Sequence, residues 1–100
     1  MLYAIIGRDG KDSLDKRPLN RPKHLQRLQQ LQEEGRLVLA GPMPAIDSPN
    51  PGPAGYVGSL IVAEFESLEL ARHWADTDPY WTEGVFVNVE VHPFRLTLPA

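Results

Sequence analysis

Two residues of this chain, His24 and Asp78, have side chains suited to general acid–base chemistry. A neutral imidazole accepts a proton near neutral pH, and a carboxylate beside it fixes one ring tautomer and stabilises the imidazolium that forms. His24 precedes Leu28 by four residues and Leu31 by seven, a helical spacing that places its ring at the border of a buried stripe. The pair therefore predicts proton transfer without a metal, provided that the fold brings the two residues together.

Both residues also have purely structural interpretations. A half-buried histidine beside a helix stripe often does no chemistry. Asp78 directly precedes Pro79, and an aspartate in that position commonly caps the turn that follows. The cap and the catalytic role do not exclude each other, so both interpretations stay open on the sequence alone.

Basic side chains gather on both sides of His24 in the sequence. They are Lys16, Arg17, Arg21, Lys23 and Arg27. Like charges near a helix start oppose the helix dipole and are easier to tolerate beside a bound anion. A carboxylate, an enolate or a phosphate would fit, although a solvated basic face explains the same residues more simply.

The elements that must position these residues follow from hydrophobic periodicity and from turn residues. Apolar runs bounded by glycine, proline and charged residues predict strands, and leucines at helical spacing predict helices. The predicted strands are 2–7, 36–41, 60–65 and 85–91, and the predicted helices are 22–34 and 67–77. This order of elements predicts the ferredoxin-like α+β fold, βαββαβ, with a four-stranded antiparallel sheet in a single domain over residues 1–100.

Three local features of these elements are also predicted. A helix start at Pro22 puts His24 in the first turn, where unpaired N–H groups lower the pKa of a histidine. Residues 42–57 hold five prolines, and this stretch is too long for a hairpin turn, so a long functional or disordered loop is expected. The alternation of the last strand changes phase at Pro93, which predicts a bulge or a bend there.

Right-handed crossovers bring the start of the first helix, the end of the second helix and two strand ends to one rim of the sheet. His24 and Asp78 meet there in this topology. A pocket at this rim would also be lined by residues from the strand ends and from the segment after Asp78. The predicted substrate-binding residues are Arg21, Gly41, Pro42, Ser59 and Tyr80.

The predicted sheet has only two helices, so one of its faces has no helical cover. That face includes part of the run from Leu2 to Ile6 together with Phe86, and it is partly apolar. A second copy of the chain is the natural cover. We therefore expect a homodimer, whether or not the dimers assemble further.

Composition excludes several classes of partner. The 10 Lys and Arg against 13 Asp and Glu give a net charge of −3, too little basic excess for phosphate backbones, so we expect no nucleic-acid partner. Cysteine is absent, which removes thiolate metal sites and fits a reducing compartment, so we expect a cytoplasmic protein. The N-terminal apolar run is too short to cross a bilayer, and the histidines lack the spacing of a zinc motif. We expect no membrane partner, no metal and no cofactor.

Several segments resemble those of YciI-like proteins in the YCII-related family. They are Arg21–Leu25, Glu34–Leu37, Ala40–Pro44, Ala63–Ser67 and Asp76–Tyr80, and the similarity extends to Asp12–Leu14 and Val91–Phe94. The resemblance implies a dimeric α/β barrel, in which two ferredoxin-like sheets meet face to face. It also implies a cleft in which a histidine and an aspartate, here His24 and Asp78, are proposed as catalytic. Similar proteins include muconolactone isomerase-like enzymes and a dehydrochlorinase for a chlorinated hydroxyhydroquinone.

These observations favour a small-molecule enzyme with His24 as general base, Asp78 to orient it, and Arg21 or backbone N–H groups to hold a developing oxyanion. Isomerase, lyase and dehydrochlorinase-like reactions all fit this chemistry, and the ligand would be small and anionic. The alternative is a non-catalytic dimeric module that binds a metabolite, an anion or another protein through the proline-rich loop. Retained ligand affinity with lost turnover in a His24→Ala variant would favour the enzyme.

Overall fold

Four strands and three helices follow one another along the chain, and the computed structural model describes all of residues 1–100. The strands are β1 (Leu2–Asp9), β2 (Leu37–Pro44), β3 (Tyr56–Glu64) and β4 (Phe86–Phe94). The helices are α1 (Ser13–Glu33), α2 (Leu68–Asp76) and the short α3 (Pro79–Thr82), and a 3₁₀ turn forms at Gly52–Ala54. The predicted ferredoxin-like α+β arrangement is confirmed.

The strands form one antiparallel sheet in the order β2, β3, β1, β4. Strand β1 lies inside the sheet, where Ile5 pairs with Ile61 of β3 and with Val91 of β4. The run from Leu2 to Ile6 puts apolar residues on both faces of this strand, whereas an antiparallel strand with one solvated face usually has polar residues on that face. Strands β2 and β4 are therefore the two edges.

Helices α1 and α2 cover one face of the sheet and bury the core there. Tyr3 and Ile5 of β1 belong to one buried cluster with Leu28 and Leu31 of α1 and Ala71 of α2. The strand alternation and the helical spacing of three and four residues present these side chains to one another. This packing fixes α1 across the sheet.

Helix α1 begins at Ser13, nine residues before the predicted start at Pro22. Pro18 and Pro22 both lie inside it, although proline removes one intrahelical hydrogen bond and usually kinks or ends a helix. Ser13 and Arg17 are buried on the same face as His24. The predicted start was wrong because the buried stripe continues through polar residues, and tertiary packing of that face stabilises the additional turns.

The proline-rich connection is shorter than predicted. Strand β2 continues to Pro44 and β3 begins at Tyr56, so the connection covers residues 45–55 instead of 42–57. Prolines are tolerated in an edge strand, where a missing N–H faces away from the sheet. Strand pairing therefore holds Pro42 and Tyr56 in place beside the sheet.

The irregularity of β4 lies at Val87. The strand passes through Pro93 without a shift in register, whereas the pairing with β1 leaves Val87 without a partner. The additional residue reverses the alternation, so Phe86 and Val89 both point into the core. The predicted bulge at Pro93 was wrong, and so was the placement of Phe86 on the open face, because Phe86 is 6% exposed.

The face of the sheet opposite the helices is still apolar without Phe86. Its half-buried and exposed apolar residues include Leu2, Ala4, Ile6, Leu39 and Leu60. Leu39 is 46% exposed although it lies within β2. None of the helices has the length and apolar character that crossing a membrane requires.

Candidate active site

A cleft of about 360 Å³ lies between α1 and the part of the sheet formed by β2 and β3. All of the predicted substrate-binding residues line it, and so does His24. Leu14, Leu25 and Tyr56 add apolar and aromatic walls. Asp78 does not line the cleft and lies behind His24. The structure thus brings the predicted segments together at one rim of the sheet.

His24 and Asp78 form a buried, hydrogen-bonded pair beside this cleft. His24 Nδ1 lies 2.8 Å from Asp78 Oδ2, and the two side chains are 7% and 4% exposed. His24 projects from the middle of α1, and Asp78 occupies the turn between α2 and α3. Two elements that are distant in sequence therefore meet at this pair.

Asp78 accepts two further hydrogen bonds. Its Oδ2 accepts from the backbone N–H of Tyr80 at 3.0 Å, which is the N-cap contact of α3. Its Oδ1 accepts from Arg27 Nη1 at 2.9 Å. The capping role and the contact with His24 occur together, and three donors offset the cost of burying the carboxylate.

The donors around Asp78 determine which nitrogen of His24 carries the proton. Arg27 and a backbone N–H can only donate, so the carboxylate accepts on every side and His24 Nδ1 must donate to it. Every buried side-chain N or O atom has a hydrogen-bond partner. His24 Nε2 makes no hydrogen bond within the chain, so it is not fully buried, and His24 lines the cleft. A neutral His24 therefore presents the Nε2 lone pair to a bound ligand.

Arg27 holds Asp78 from the side away from His24. Its Nη1 also donates to the carbonyl of Trp74 at 3.0 Å, and its Nη2 donates to Thr77 Oγ1 at 2.9 Å. The guanidinium carbon lies 4.4 Å from the centroid of the Trp74 ring, a cation–π distance. From the sequence, Arg27 belongs to a basic group that fits either an anion site or a solvated face, whereas in the structure its charge is paired with Asp78.

The earlier start of α1 places His24 outside the first turn of the helix, where it was predicted to lie. His24 is the twelfth residue of α1, far from the unpaired N–H groups of the first turn. The helix dipole therefore does not act on its ring as predicted. The ring is surrounded instead by Asp78 and by Tyr80, whose ring stacks on it at 3.8 Å with 6° between the planes.

A second buried ion pair, Arg17 with Asp9, also borders the cleft. Arg17 Nε and Nη2 donate to the Asp9 carboxylate at 2.7 and 2.8 Å, and the side chains are 9% and 2% exposed. Nη2 also donates to the Gly58 carbonyl at 3.1 Å and to Ser59 Oγ at 3.0 Å. The sequence did not reveal this pair, because Asp9 stands beside Gly10 in a segment typical of a turn. The available signal was Arg17, seven residues before His24 and so on the same helix face.

Arg21 is the basic residue of the cleft whose charge is not used by the chain. It is exposed and lines the cleft, and no carboxylate lies within ion-pair distance of it. Arg17 and Arg27 are paired with buried carboxylates, and Lys23 is exposed outside the cleft. The basic group is therefore not one uniform solvated face.

The remaining histidines lie away from the cleft. His73 is exposed on α2, and His92 is exposed on β4, where its Nε2 lies 3.2 Å from Glu90 Oε1. No group of three or more His, Cys, Asp or Glu residues is arranged to hold a metal ion.

Burial raises the pKa of the Tyr80 phenol above its ordinary 10.0, against the opposing charges of Arg17 and Arg21. As the pH rises above 10.0, the unfolded chain begins to lose the phenol proton of Tyr80 while the folded chain still keeps it. The stability that this difference contributes is complete below pH 10.0 and is lost as the pH rises through the folded-state pKa.

We expect the free energy of unfolding to fall between about pH 9 and about pH 11 by more in wild type than in Tyr80→Phe. Urea titrations at both pH values, with Tyr56→Phe as control, test this; equal falls in all three proteins would contradict it.

The fold and the site define a ferredoxin-like domain with a buried histidine–aspartate pair beside a small cleft. The chain belongs to the YCII-related domain family, whose model matches residues 1–95. The family predicted from the sequence segments is thereby confirmed.

Two relatives and one solved structure are similar over most of the chain. Protein YciI of Escherichia coli O6:H1 (strain CFT073) is 59% identical over 95 residues, which are 95% of this chain and 97% of that protein. An uncharacterized protein of Haemophilus influenzae is 50% identical with the same coverage. The solved structure is 5-chloro-2-hydroxyhydroquinone dehydrochlorinase (TftG) from Burkholderia phenoliruptrix AC1100, in complex with 2,5-dihydroxybenzoquinone. Comparison of that structure with this chain gives a TM-score of 0.81 at 25% sequence identity, and the match covers 95% of this chain and 94% of that chain. The fold is thus shared with an enzyme that binds a small molecule.

Proposed function

We propose that this chain is a small-molecule enzyme that uses His24 as a general base, with reactions of the isomerase, lyase or dehydrochlorinase kind. The observation that carries the proposal is how the ring is held: Nδ1 is hydrogen-bonded to buried Asp78, while Nε2 has no partner in the chain and the ring lines the cleft. A base in this tautomer accepts a proton at Nε2 while Asp78 stabilises the imidazolium. Neither step uses a metal or an organic cofactor.

The proposed chemistry begins when Nε2 of His24 takes a proton from an acidic C–H or O–H group of the substrate. The electron pair left behind moves onto a conjugated oxygen, and Arg21, which has no carboxylate partner, stabilises that charge. An isomerase returns the proton to another carbon of the same molecule. A lyase or a dehydrochlorinase expels a leaving group, such as chloride, with its electron pair.

Two observations support a ring-sized substrate. The cleft volume of about 360 Å³ is at the small end of the range for ligand sites, and its walls are largely apolar and aromatic. The similar structure of TftG is that of a dehydrochlorinase for a chlorinated hydroxyhydroquinone and contains a dihydroxybenzoquinone. Phenols, quinones and cyclic carbonyl compounds are therefore the first substrates to screen.

The test is a His24→Gln variant, with His73→Gln on the surface of α2 as matched control. On any substrate that the wild type turns over, or whose C–H it exchanges with deuterium from D₂O, we expect about a 10²–10⁴-fold loss for His24→Gln. The control should keep the wild-type rate. NMR of the substrate measures both readouts. A His24→Gln variant with the wild-type rate would contradict the general-base role, and ligand binding without proton transfer on any compound of the panel would favour a binding module.

We also propose that two copies of the chain pair through the open faces of their sheets. The apolar residues on that face support this, since a contiguous exposed apolar surface is uncommon in a monomer. Leu39, on this face, and Leu68, on α2, are both 46% exposed and so form a matched pair. Light scattering should give twice the chain mass of 11.2 kDa for wild type and Leu68→Glu, and one chain mass for Leu39→Glu. A wild-type monomer throughout the micromolar range would contradict the dimer.

A further inference from the structure

The cleft holds a second polar centre, away from the histidine–aspartate pair, that the proposed chemistry does not yet use. It consists of Arg17 and Ser59, which come from α1 and β3 and are 7% and 4% exposed. We infer that these two residues form a binding site for the ionised oxygen of a small planar ring, a phenolate or a cyclic enolate. This substrate class deepens the proposed function and rests on it.

Arg17 has an unpartnered nitrogen at the cleft. Its Nε and Nη2 donate to Asp9, and Nη2 also donates to the Gly58 carbonyl and to Ser59 Oγ. Nη1 has no partner in the chain, yet no buried side-chain nitrogen or oxygen is left unpaired. Nη1 therefore keeps accessible surface, and Arg17 is one of the residues that line the cleft. An otherwise buried guanidinium thus offers N–H groups to a ligand.

Ser59 supplies the second donor. Its Oγ accepts a hydrogen bond from Arg17 Nη2 at 3.0 Å, so its own proton must point elsewhere. The chain provides no acceptor for this proton, and Ser59 lines the cleft. Arg17 therefore acts on Ser59 as a positioning residue that leaves the hydroxyl free to donate to an acceptor in the cleft.

Contacts with aromatic rings show how close the Arg17–Ser59 centre lies to His24. The Arg17 guanidinium carbon lies 4.8 Å from the Tyr56 centroid and 5.2 Å from the Tyr80 centroid, and His24 stacks on Tyr80 at 3.8 Å. The Arg17 guanidinium carbon and the His24 ring centroid therefore both lie within 5.2 Å of the Tyr80 ring centroid. One planar ring can reach Nε2 of His24 with an acidic group and the Arg17–Ser59 centre with an oxygen.

The charge balance favours an ionised oxygen. Asp9 neutralises most of the Arg17 charge, but Arg21 adds a positive charge at the cleft that no carboxylate neutralises. Donors that are already fixed in a partly apolar site stabilise a charge more strongly than water-exposed donors do. A ring oxygen becomes ionised when His24 removes a proton from a conjugated position, so the Arg17–Ser59 centre suits the product of that step.

The test compares two probes of one shape, 4-nitrophenol and its methyl ether 4-nitroanisole, which cannot ionise. Binding is measured by the absorbance of the phenolate band and by the change in chemical shift of the Ser59 amide in NMR. We expect at least about tenfold tighter binding of the phenolate than of the ether, and about a tenfold loss of that preference in Ser59→Ala, as for one charge-assisted hydrogen bond. Ser59→Thr, which keeps a hydroxyl, should retain the preference. Arg17 remains bonded to Asp9 and Gly58 in these variants, so their urea midpoints should match the wild type.

Arg21→Gln and His24→Gln complete the design. An Arg21 effect at the exposed rim should disappear at high salt, whereas the Ser59 effect should persist. Equal binding of the two probes, no binding of either at millimolar concentration, or a preference that depends on Arg21 and not on Ser59 would overturn the inference. The phenolate preference should survive in His24→Gln. A preference without any proton transfer would count against the proposed function alone, and proton transfer without a preference would count against this inference alone.

Discussion

Replacing Asp78 by alanine is expected to lower the free energy of unfolding by about 3–5 kcal/mol and the rate of proton transfer by about 10³–10⁴-fold. The change removes the acceptor for His24 Nδ1, for Arg27 Nη1 and for the backbone N–H of Tyr80 at once. Arg27 is then left without its buried carboxylate, α3 loses its cap, and the tautomer of His24 is no longer fixed. Urea denaturation, turnover, and nitrogen chemical shifts of the His24 ring measure these three effects.

Asp76→Ala is the matched control for this variant. Asp76 pairs with Arg72 at 3.3 Å on the exposed side of α2, where both side chains are nearly half exposed. A surface pair of this kind contributes at most about 1 kcal/mol, so the control should stay close to wild type in stability and rate. A similar loss in both variants would show that burial of Asp78 carries no special effect.

Asp78→Asn separates the cap from the charge. An asparagine oxygen in the place of Oδ2 can still accept from Tyr80 and His24, while its NH₂ group faces Arg27. Stability should therefore fall less than in Asp78→Ala, but the rate should still fall, because the imidazolium of His24 loses its counter-charge. An asparagine variant with the wild-type rate would leave Asp78 with a capping role only.

Replacing Asp9 by alanine is expected to destabilise the chain by about 3–5 kcal/mol. Asp9 is the only carboxylate that pairs with Arg17, and the two side chains are 2% and 9% exposed. Removing one member of a buried pair leaves the other charge uncompensated, and that penalty exceeds what the pair contributes in net terms. Urea denaturation measures the loss, with the expected effect seen as a lower midpoint at unchanged slope.

The double variant Asp9→Leu with Arg17→Met should recover much of this loss, since apolar side chains of similar volume often replace a buried ion pair without a large cost. Glu34→Ala is the control. Arg36 Nη1 lies only 2.6 Å from Glu34 Oε1, but the side chains of Glu34 and Arg36 are 41% and 36% exposed. Glu34→Ala should therefore lower the free energy of unfolding by less than about 1 kcal/mol. A double variant as unstable as Asp9→Ala alone would indicate that Arg17 is needed for shape and not only for charge.

The elements that apolar periodicity and caps define are those that the sequence predicts well. The first strand, the second helix and the end of the first helix agree with the structure to within about two residues. Each depends on contacts within a few residues, such as the Leu70 N–H donated to Ser67 Oγ or the positive φ of Gly35. The sequence also predicted that His24 and Asp78 lie together, and the two side chains are hydrogen-bonded in the structure.

Tertiary structure alone decided the features that depend on residues distant in the chain. Whether Arg17 is a surface charge or a buried donor depends on Asp9 and Ser59, which reach it only after the sheet has formed. The start of α1 and the bulge at Val87 likewise follow from packing across the sheet. A polar side chain can be buried only where a partner offsets its desolvation, and local sequence patterns do not contain that partner. For this reason the chain by itself determines the order of its elements, while the hydrogen bonds that connect them determine the chemistry of the cleft.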